Sequence, residues 1–290
     1  MKRILTSPWR IIGLSTLVLV IGFASWHFLK PEKALKQSGA GLAMDAWAFN
    51  RAYPADRILM RNYTRSFEKM QADLQNSTRS ADMQPWEAMG PMNVAGRTLA
   101  LAINPQNPNN IYAGTASGGL WRTRTQGKGV VGWEEVPTGF PLLGVASVAM
   151  SPADSNVLYI GTGEVYNYQN TAPGIFNRLT RGSYGIGILK STDGGTTWTK
   201  SLDWSYGDLR GVADLQINPL NPNTVFAATS EGLYRSRDAG ATWTLVQNVL
   251  MANDIEMHAS DTSRIYVSCG NFRSAGNGLY RSLDGGDTFT

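Results

Sequence analysis

The spacing of hydrophobic and polar positions changes twice along the 290-residue chain. Residues 11–29 form an apolar run without formal charge, and residues 44–76 carry apolar positions at intervals of three and four. After residue 86 the apolar runs become short, β-branched and aromatic, with Gly, Pro, Asn and Asp between them. Intervals of three and four are typical of amphipathic helices, and short runs between turn residues are typical of strands. We therefore expect an apolar helix in 1–30, a linker and helical neck in 31–85, and an all-β domain in 86–290.

The apolar run in 11–29 follows three basic residues, Lys2, Arg3 and Arg10. A helix of this length is about 28 Å long, close to the thickness of the hydrocarbon core of a bilayer. The run indicates either an uncleaved signal anchor or a cleaved signal peptide, and residues 22–25 match a cleavage site poorly, which favours the anchor. Both alternatives place the body of the protein in the cell envelope or outside the cell, with a membrane contact through 11–29 if this segment is uncleaved.

Apolar positions also recur in the second half of the neck, at Leu59, Tyr63, Phe67, Met70 and Leu74. Intervals of three and four put these residues on one face of a helix. We expect that face to pack against the domain that follows.

The all-β region is internally repetitive, with similar copies that begin at Arg97, Gly144, Gly211 and Asn253. Each copy has two strands joined by a polar turn, a third strand that begins with Gly-Leu or Gly-Ile, and a fourth strand. Four strands in about 40–50 residues is the size of one β-propeller blade. We predict an all-β fold, a β-propeller of four-stranded blades, with about four blades present. A TIM barrel is excluded because no helical pattern separates the strands.

The third and fourth strands of three copies are joined by the motif S-x-D-x-G-x-T-[WF], here termed the acidic turn. Its residues are Ser191, Asp193, Gly195 and Trp198; Ser236, Asp238, Gly240 and Trp243; and Ser282, Asp284, Gly286 and Phe289. The motif resembles the Asp-box, or BNR repeat, of sialidases, sortilin-type receptors, xyloglucan-degrading glycosidases and photosystem assembly factors. The resemblance covers about 86–290 and implies six or more blades, so we expect an incomplete propeller here.

The acidic turns indicate a structural role for their carboxylates. Asp and Ser oxygens accept hydrogen bonds from nearby backbone N–H groups, Gly supplies a positive φ, and Trp or Phe anchors the turn. The first copy keeps Trp133 but has no Asp, so we expect the motif to be lost there. We expect no metal site and no cofactor, since one cysteine, Cys269, and two histidines, His27 and His258, leave little for a metal cluster.

Function is expected on the loops that follow the second and fourth strands, which share one face of a propeller. The second copy carries an insertion on this face, in residues 164–184. The candidate binding residues are Tyr166, Tyr168, Arg178, Arg181, Trp204, Tyr206, Asp208 and Arg210. Exposed aromatic rings beside arginine suit contact with a sugar or a protein. The alternative is that these rings cover the neighbouring blades.

Glycoside hydrolysis generally requires two carboxyl groups across the scissile bond. The sequence most resembles xyloglucan-degrading glycosidases, whose first blade carries a motif like Y-A-R-T-D-x-G-G with a catalytic Asp; here Ala116 stands at that position. Arg97 lacks the R-I-P setting of sialidases, so it is expected to pack or to form an ion pair. Glu164, Asp208 and Asp214 are possible acids without an evident pair, and no catalytic residue is assigned.

These observations favour a module that binds protein or carbohydrate, because a rigid propeller with an inserted loop needs no catalytic pair. The alternatives are a glycoside hydrolase of the xyloglucanase or sialidase type, with catalytic residues partly outside this chain, and an assembly factor for a membrane complex. Nucleic acid is not an expected partner. The net charge of +4 equals the four basic residues of 1–30 and leaves the rest neutral, whereas phosphate binding requires clustered cations.

Overall fold

The computed structural model describes residues 42, 46, 49, 50, 52–54, 59–76, 96–129, 132–141, 144–172, 175–180, 182–207, 209–271 and 274–290. The chain divides into two units, Met1–Ile58 and Leu59–Thr290. In the first unit, the ring centroids of Phe49 and Tyr53 lie 5.6 Å apart. The apolar run in 11–29 lies outside the described residues, and within them no helix has the length and apolar character that crossing a membrane requires.

The described part of the second unit contains one helix, one hairpin and four antiparallel sheets, here termed blades 1 to 4. Blade 1 contains β1 (Thr98–Ile103), β2 (Ile111–Thr115), β3 (Leu120–Thr123) and β4 (Glu134–Val136). Blade 2 contains β5 (Val145–Met150), β6 (Leu158–Thr162), β9 (Gly187–Ser191) and β10 (Thr199–Asp203), with the hairpin of β7 (Asn167–Ala172) and β8 (Ile175–Leu179) inserted between β6 and β9. Blade 3 contains β11 (Val212–Ile217), β12 (Val225–Thr229), β13 (Gly232–Ser236) and β14 (Thr244–Gln247). Blade 4 contains β15 (Ala252–Met257), β16 (Ile265–Cys269) and β17 (Gly278–Ser282).

The four blades are copies of one unit. Strands follow one another across each blade, and the first strands of neighbouring blades contact each other, so they share one edge of the assembly. Each first strand has a register shift at the same place, between its first and third residues; the shifts lie at Thr98/Ala100, Val145/Ser147, Val212/Asp214 and Ala252/Asp254. The predicted succession of four-stranded β units is therefore confirmed, with three strands described in the last.

The hydrophobic core lies between the blades. One cluster joins Tyr112 and Leu120 of blade 1 to Leu158 and Ile160 of blade 2. Equivalent clusters join blade 2 to blade 3 and blade 3 to blade 4. Every residue of β6 and β12 is buried, because these second strands are covered on both faces. Continuous apolar runs in the sequence are the expected signature of such strands.

Helix α1 (Met60–Asn76) contacts the loop that follows β10. The buried hydroxyl of Thr64 donates to the carbonyl of Ser205 at 2.7 Å. The hydroxyl of Tyr206 lies 3.1 Å from both carboxylate oxygens of Glu68 and donates to that group. These polar contacts fix the rotation of the helix about its axis.

The packing face of α1 differs from the predicted apolar face. Phe67 is partly buried, but Tyr63, Met70 and Leu74 are exposed, at 40% or more of their surface. The hydrogen bond of Thr64 turns its side of the helix toward the blades. The apolar spacing therefore located the helix correctly but gave the wrong contact face.

Candidate functional site

Each acidic turn is fastened by its own serine and aspartate. In the first, the hydroxyl of Ser191 donates to the Asp193 carboxylate at 2.7 Å and accepts the N–H of Gly195 at 2.9 Å. Thr197 donates to the same carboxylate through its N–H at 2.8 Å and its hydroxyl at 2.6 Å. The other two acidic turns contain the same set of hydrogen bonds.

These hydrogen bonds stabilise the ionised carboxylates. The threonine hydroxyl, followed by the threonine N–H and the serine hydroxyl, lowers the pKa of Asp193 and of Asp238 to about 2 and lowers the pKa of Asp284 in the same way. Each carboxylate thus has its partners within its own turn. Across the described residues, no group of three or more His, Cys, Asp and Glu side chains could hold a metal ion.

The acidic turns also join neighbouring blades. An aromatic residue on the second strand and a cation opposite it on the third strand meet the acidic turn of the next blade; the pairs are Tyr112 and Arg122, Tyr159 and Lys190, and Phe226 and Arg235. The two tyrosine hydroxyls donate to the carbonyls of Gly194 and Ala239 at 2.8 and 2.7 Å. The three cations donate to the carbonyls of Gly194, Ala239 and Gly285 at 3.1, 2.8 and 3.3 Å.

The glycine of the acidic-turn motif lies against the aromatic ring of the preceding blade. A Cβ atom on Gly240 would lie 2.8 Å from the Tyr159 ring, and one on Gly286 would lie 2.6 Å from the Phe226 ring. Both glycines have a positive φ, +82° and +86°. Glycine is required there by the backbone conformation and also by the close approach of the ring.

The corresponding turn of blade 1 keeps the backbone conformation without the aspartate. The N–H of Gly127 donates to the hydroxyl of Thr123 at 2.8 Å, as glycine donates to serine in the acidic turns. Gln126 has a φ of +59°, and its N–H donates to the carbonyl of Asn109 at 3.1 Å. The indole nitrogen of Trp133 lies 3.0 Å from the position of a Cβ atom on Gly127. The motif expected to be lost is thus lost in its carboxylate but retained in its backbone.

Described loop residues that follow second and fourth strands come together at one side of the blades, here termed the upper rim (116–119, 163–172, 175–180, 182–186, 204–207, 209–211, 230–231, 270–271 and 274–277). The inserted hairpin β7–β8 extends from blade 2 across the rim. Arg178 on β8 pairs with Glu231 of blade 3 at 2.7 Å, and the amide of Asn271 of blade 4 donates to Asn167 on β7. The hairpin is therefore held by both following blades.

Trp204 is part of the core and is not available to a ligand. It is only 6% exposed and packs edge-on against Tyr234, with ring centroids 5.8 Å apart. The guanidinium of Arg210 covers its ring at 5.3 Å and lies 3.9 Å from Glu231. For these two residues, the alternative that the aromatic loop covers the neighbouring blades describes the structure better than exposed stacking does.

The remaining candidate binding residues are two exposed tyrosines and three residues whose side chains lie outside the described part of the chain. Tyr166 is 40% exposed on the rim. Tyr206 is also exposed, but it faces α1, and its hydrogen bond to Glu68 raises its pKa above the usual value. The side chain of Tyr168 lies outside the described residues, as do Arg181 and Asp208.

Arg97 and Glu164 form an ion pair that joins blade 1 to the start of the insertion. The two guanidinium nitrogens donate to the two carboxylate oxygens at 2.5 and 2.6 Å, which raises the pKa of Arg97. Ala116, the position of the catalytic Asp in the resembling glycosidases, is buried close to this pair. A Cβ atom on Gly182 would lie 2.6 Å from the Ala116 carbonyl and 3.2 Å from Glu164. Glu164 therefore has an arginine partner and no carboxyl partner at this position.

Asp214 lies on β11, the first strand of blade 3. Its carboxylate accepts the N–H of Ile255 on β15 at 3.0 Å, which links the first strands of blades 3 and 4. Burial raises the pKa of Asp214, and the charges of Asp254 and Glu256 act in the same direction. This carboxylate contributes to the joint between two blades.

The contacts of each aromatic and cationic pair with the acidic turn of the next blade are here termed the joints. These pairs were not predicted from the sequence. A signal for them exists: each second strand has an aromatic residue at its second position, and each third strand has a cation at its next-to-last position. The pairing of these two positions depends on strand register, which a single repeat does not reveal.

No protein-family model matches this chain. A xyloglucanase from a Paenibacillus species is 26% identical over 258 residues, which covers 76% of this chain and 23% of the relative. A probable oligoxyloglucan-reducing end-specific xyloglucanase from Neosartorya fischeri is 28% identical over 206 residues, which covers 66% of this chain and 23% of the relative. This chain thus spans about a quarter of the length of these curated relatives.

Among solved structures, an ancestral GH74 enzyme matches with a TM-score of 0.54 at 17% sequence identity. The match covers 71% of this chain and 25% of that chain. At this identity the likeness shows a shared fold and not a shared activity. The four blades therefore correspond to part of a larger propeller structure, and the sequence is similar to part of xyloglucanases.

Proposed function

We propose that this chain is an exported or membrane-anchored propeller module that binds carbohydrate or protein at its upper rim and does not cleave glycosidic bonds. The observation that carries the proposal is the state of the two carboxylates in the described part of the rim. Glu164 is held by Arg97 through both oxygens, and Glu231 is held by Arg178. A glycosidase needs one carboxyl group to donate a proton and a second one opposite it. Two carboxylates that are each paired with an arginine favour a binding module over glycoside hydrolysis.

Carbohydrate is the first ligand class to test, because the curated relatives are named xyloglucanases. Tyr166 has an exposed ring next to the β7–β8 hairpin, and such rings stack on sugars. Titration calorimetry with xyloglucan oligosaccharides should detect binding, and Tyr166→Ala should weaken it about tenfold, equal to about 1.4 kcal/mol. Tyr266→Ala is the matched control, since Tyr266 is equally exposed, at 40%, but lies on β16.

The alternative is a glycoside hydrolase of the xyloglucanase type, which the names of the relatives favour. The same oligosaccharides, incubated with the chain, should release no new reducing ends. Release that Glu164→Gln abolishes, with the melting temperature preserved, would establish the hydrolase and reject the binding module. Equal affinity in the wild type and in Tyr166→Ala would show that the ligand does not bind beside the hairpin.

A further inference from the structure

We infer that the space between α1 and the first two blades is a second binding site, which takes a neutral sugar of one or two rings. A cavity of about 290 Å³ lies there, bordered by α1, by the loop that follows β4, and by β10 with the loop after it. This volume is at the lower end of the range of small-molecule sites in proteins, about 300–1,000 Å³. Tyr166 does not line the cavity, so the site is additional to the one proposed beside the hairpin.

Helix α1 turns a polar face toward this cavity. Glu68, Gln71 and Gln75 line it, and spacings of three and four residues put them on one side of the helix. The apolar residues Met70 and Leu74 are exposed instead, at 46% and 40%. A surface helix normally packs its apolar face on the domain and leaves its polar face to water. The reverse arrangement found here suits a cavity that receives a polar ligand.

The polar groups on the cavity wall retain capacity for hydrogen bonds. Among the described residues, the side-chain amides of Gln71 and Gln75 have no hydrogen-bond partner. The Glu68 carboxylate accepts the hydroxyl of Tyr206, and a carboxylate can accept about four hydrogen bonds in all. Each amide has two N–H donors and an acceptor oxygen. Sugar hydroxyl groups both donate and accept, so they can pair with every member of this set.

Two aromatic rings form part of the apolar wall. Phe67 comes from α1 and Phe140 from the loop after β4, and both are partly buried. Apolar and aromatic walls with a few placed polar groups are the usual composition of a small-molecule site. The C–H faces of a sugar ring can pack on such walls while its hydroxyl groups reach the amides.

The charges at the cavity favour a neutral ligand over an acidic one. Lys200 is the one cation among the described lining residues, and its ammonium group lies 5.8 Å from the centroid of the Phe140 ring. The same ammonium group is 3.3 Å from the carboxylate of Asp203, which balances its charge. Glu68 adds a negative charge on the opposite wall. A uronic acid would therefore meet a carboxylate without an unpaired cation.

Titration calorimetry with cellobiose, xylobiose and maltose tests the site. At least one of these neutral disaccharides should bind, and Gln71→Ala should weaken its binding about three- to tenfold, the effect of one neutral hydrogen bond. Alanine preserves the helix, so Tm should stay unchanged in this variant. Asn62→Ala is the matched control, since Asn62 is an exposed amide of the same helix that does not line the cavity. It should bind as the wild type does, and equal affinity in Gln71→Ala would overturn the inference.

Hydrogen exchange measured by mass spectrometry locates the bound disaccharide. Exchange should slow in residues 60–76 and 137–141, and Tyr166→Ala should leave this protection in place. Protection confined to the hairpin, or affinity lost in Tyr166→Ala and kept in Gln71→Ala, would overturn the second site and leave binding at the upper rim intact. The same holds if xyloglucan oligosaccharides bind beside Tyr166 but no disaccharide binds. Tighter binding of digalacturonic acid than of every neutral disaccharide would overturn the ligand class.

Discussion

The contact between Gly286 and the Phe226 ring allows the cost of a single methyl group to be worked out. In Gly286→Ala, the new Cβ atom would lie 2.6 Å from a ring that is fully buried, at a φ of +86°. The left-handed conformation costs an alanine about 1–2 kcal/mol. Overpacking a core position adds about 1–3 kcal/mol, because the ring must move. We expect the substitution to lower the free energy of unfolding by about 2–5 kcal/mol.

Gly285→Ala separates the two contributions. Gly285 also has a positive φ, +74°, but no atom lies within 4 Å of its Cβ position. Blade 3 carries alanine at the equivalent position, Ala239, with a φ of +54°. This variant should therefore lose only the conformational part, about 1 kcal/mol. Calorimetry and urea unfolding at pH 7 measure both, and each 1 kcal/mol corresponds to about 2–4 °C in Tm.

Gly195→Ala tests the same contact at a longer distance between the ring and the Cβ position. The ring of Tyr112 lies 3.5 Å from its Cβ position, which is an ordinary contact distance. The decrease in the free energy of unfolding should therefore be similar in Gly195→Ala and in Gly285→Ala. Equal losses for Gly285→Ala and Gly286→Ala would refute the reasoning, since they would show that the approach of the ring adds nothing to the requirement for glycine.

Two carboxylates should affect stability with opposite dependence on pH, and one ion pair should control the hairpin. Burial raises the pKa of Asp214 in the folded state above its value in the unfolded state. The folded protein therefore loses stability as pH rises through the folded-state pKa. Asp214→Asn should raise Tm at pH 7 and have little effect near pH 3. Hydrogen bonds lower the pKa of Asp238 to about 2, so its contribution is present above about pH 4 and is lost as pH falls toward 2; Asp238→Asn should lower Tm at pH 7 and matter least at the lowest pH. Melting curves between pH 2 and 8 test both, and parallel profiles would contradict the assignment. Glu231→Gln removes the charge that holds Arg178, so hydrogen exchange measured by mass spectrometry should become faster in the hairpin and stay unchanged in β12; unchanged exchange in the hairpin would show that the pair does not hold it.

Most of the fold was predictable because its signals are local and repeated. Continuous apolar runs mark the second strands, and the acidic turns fix where the third strand ends. The rotation of α1 was not predictable, because the helix contacts the loop after β10 through Thr64 and Glu68, whereas Tyr63 of the apolar face is exposed. These contacts depend on a loop about 140 residues away in the sequence.

The sequence located the insertion in the second copy but not the contacts that its residues make. The insertion between β6 and β9 does cross the upper rim, and Arg178 does lie on it. Sequence alone left open whether Trp204 binds a ligand or is covered, because an aromatic residue in a loop gives no local sign of whether a neighbouring blade will cover it. Arg97 was expected to pack or to form an ion pair, but its partner Glu164 could not be named, since the two residues belong to different copies of the repeat. Contacts between copies depend on how the blades stack, which no single copy encodes.

The first blade shows which atoms determine the shape of the turn. The conformation is kept with hydrogen bonds of the hydroxyls of Thr123 and Thr125 and with a glycine at 127, although the carboxylate is gone. The acidic signature is therefore a reinforcement that a repeat can lose while its architecture persists. Counting blades by that signature alone will underestimate their number in sequences of this kind, and a hydroxyl four residues before a glycine is the more tolerant marker.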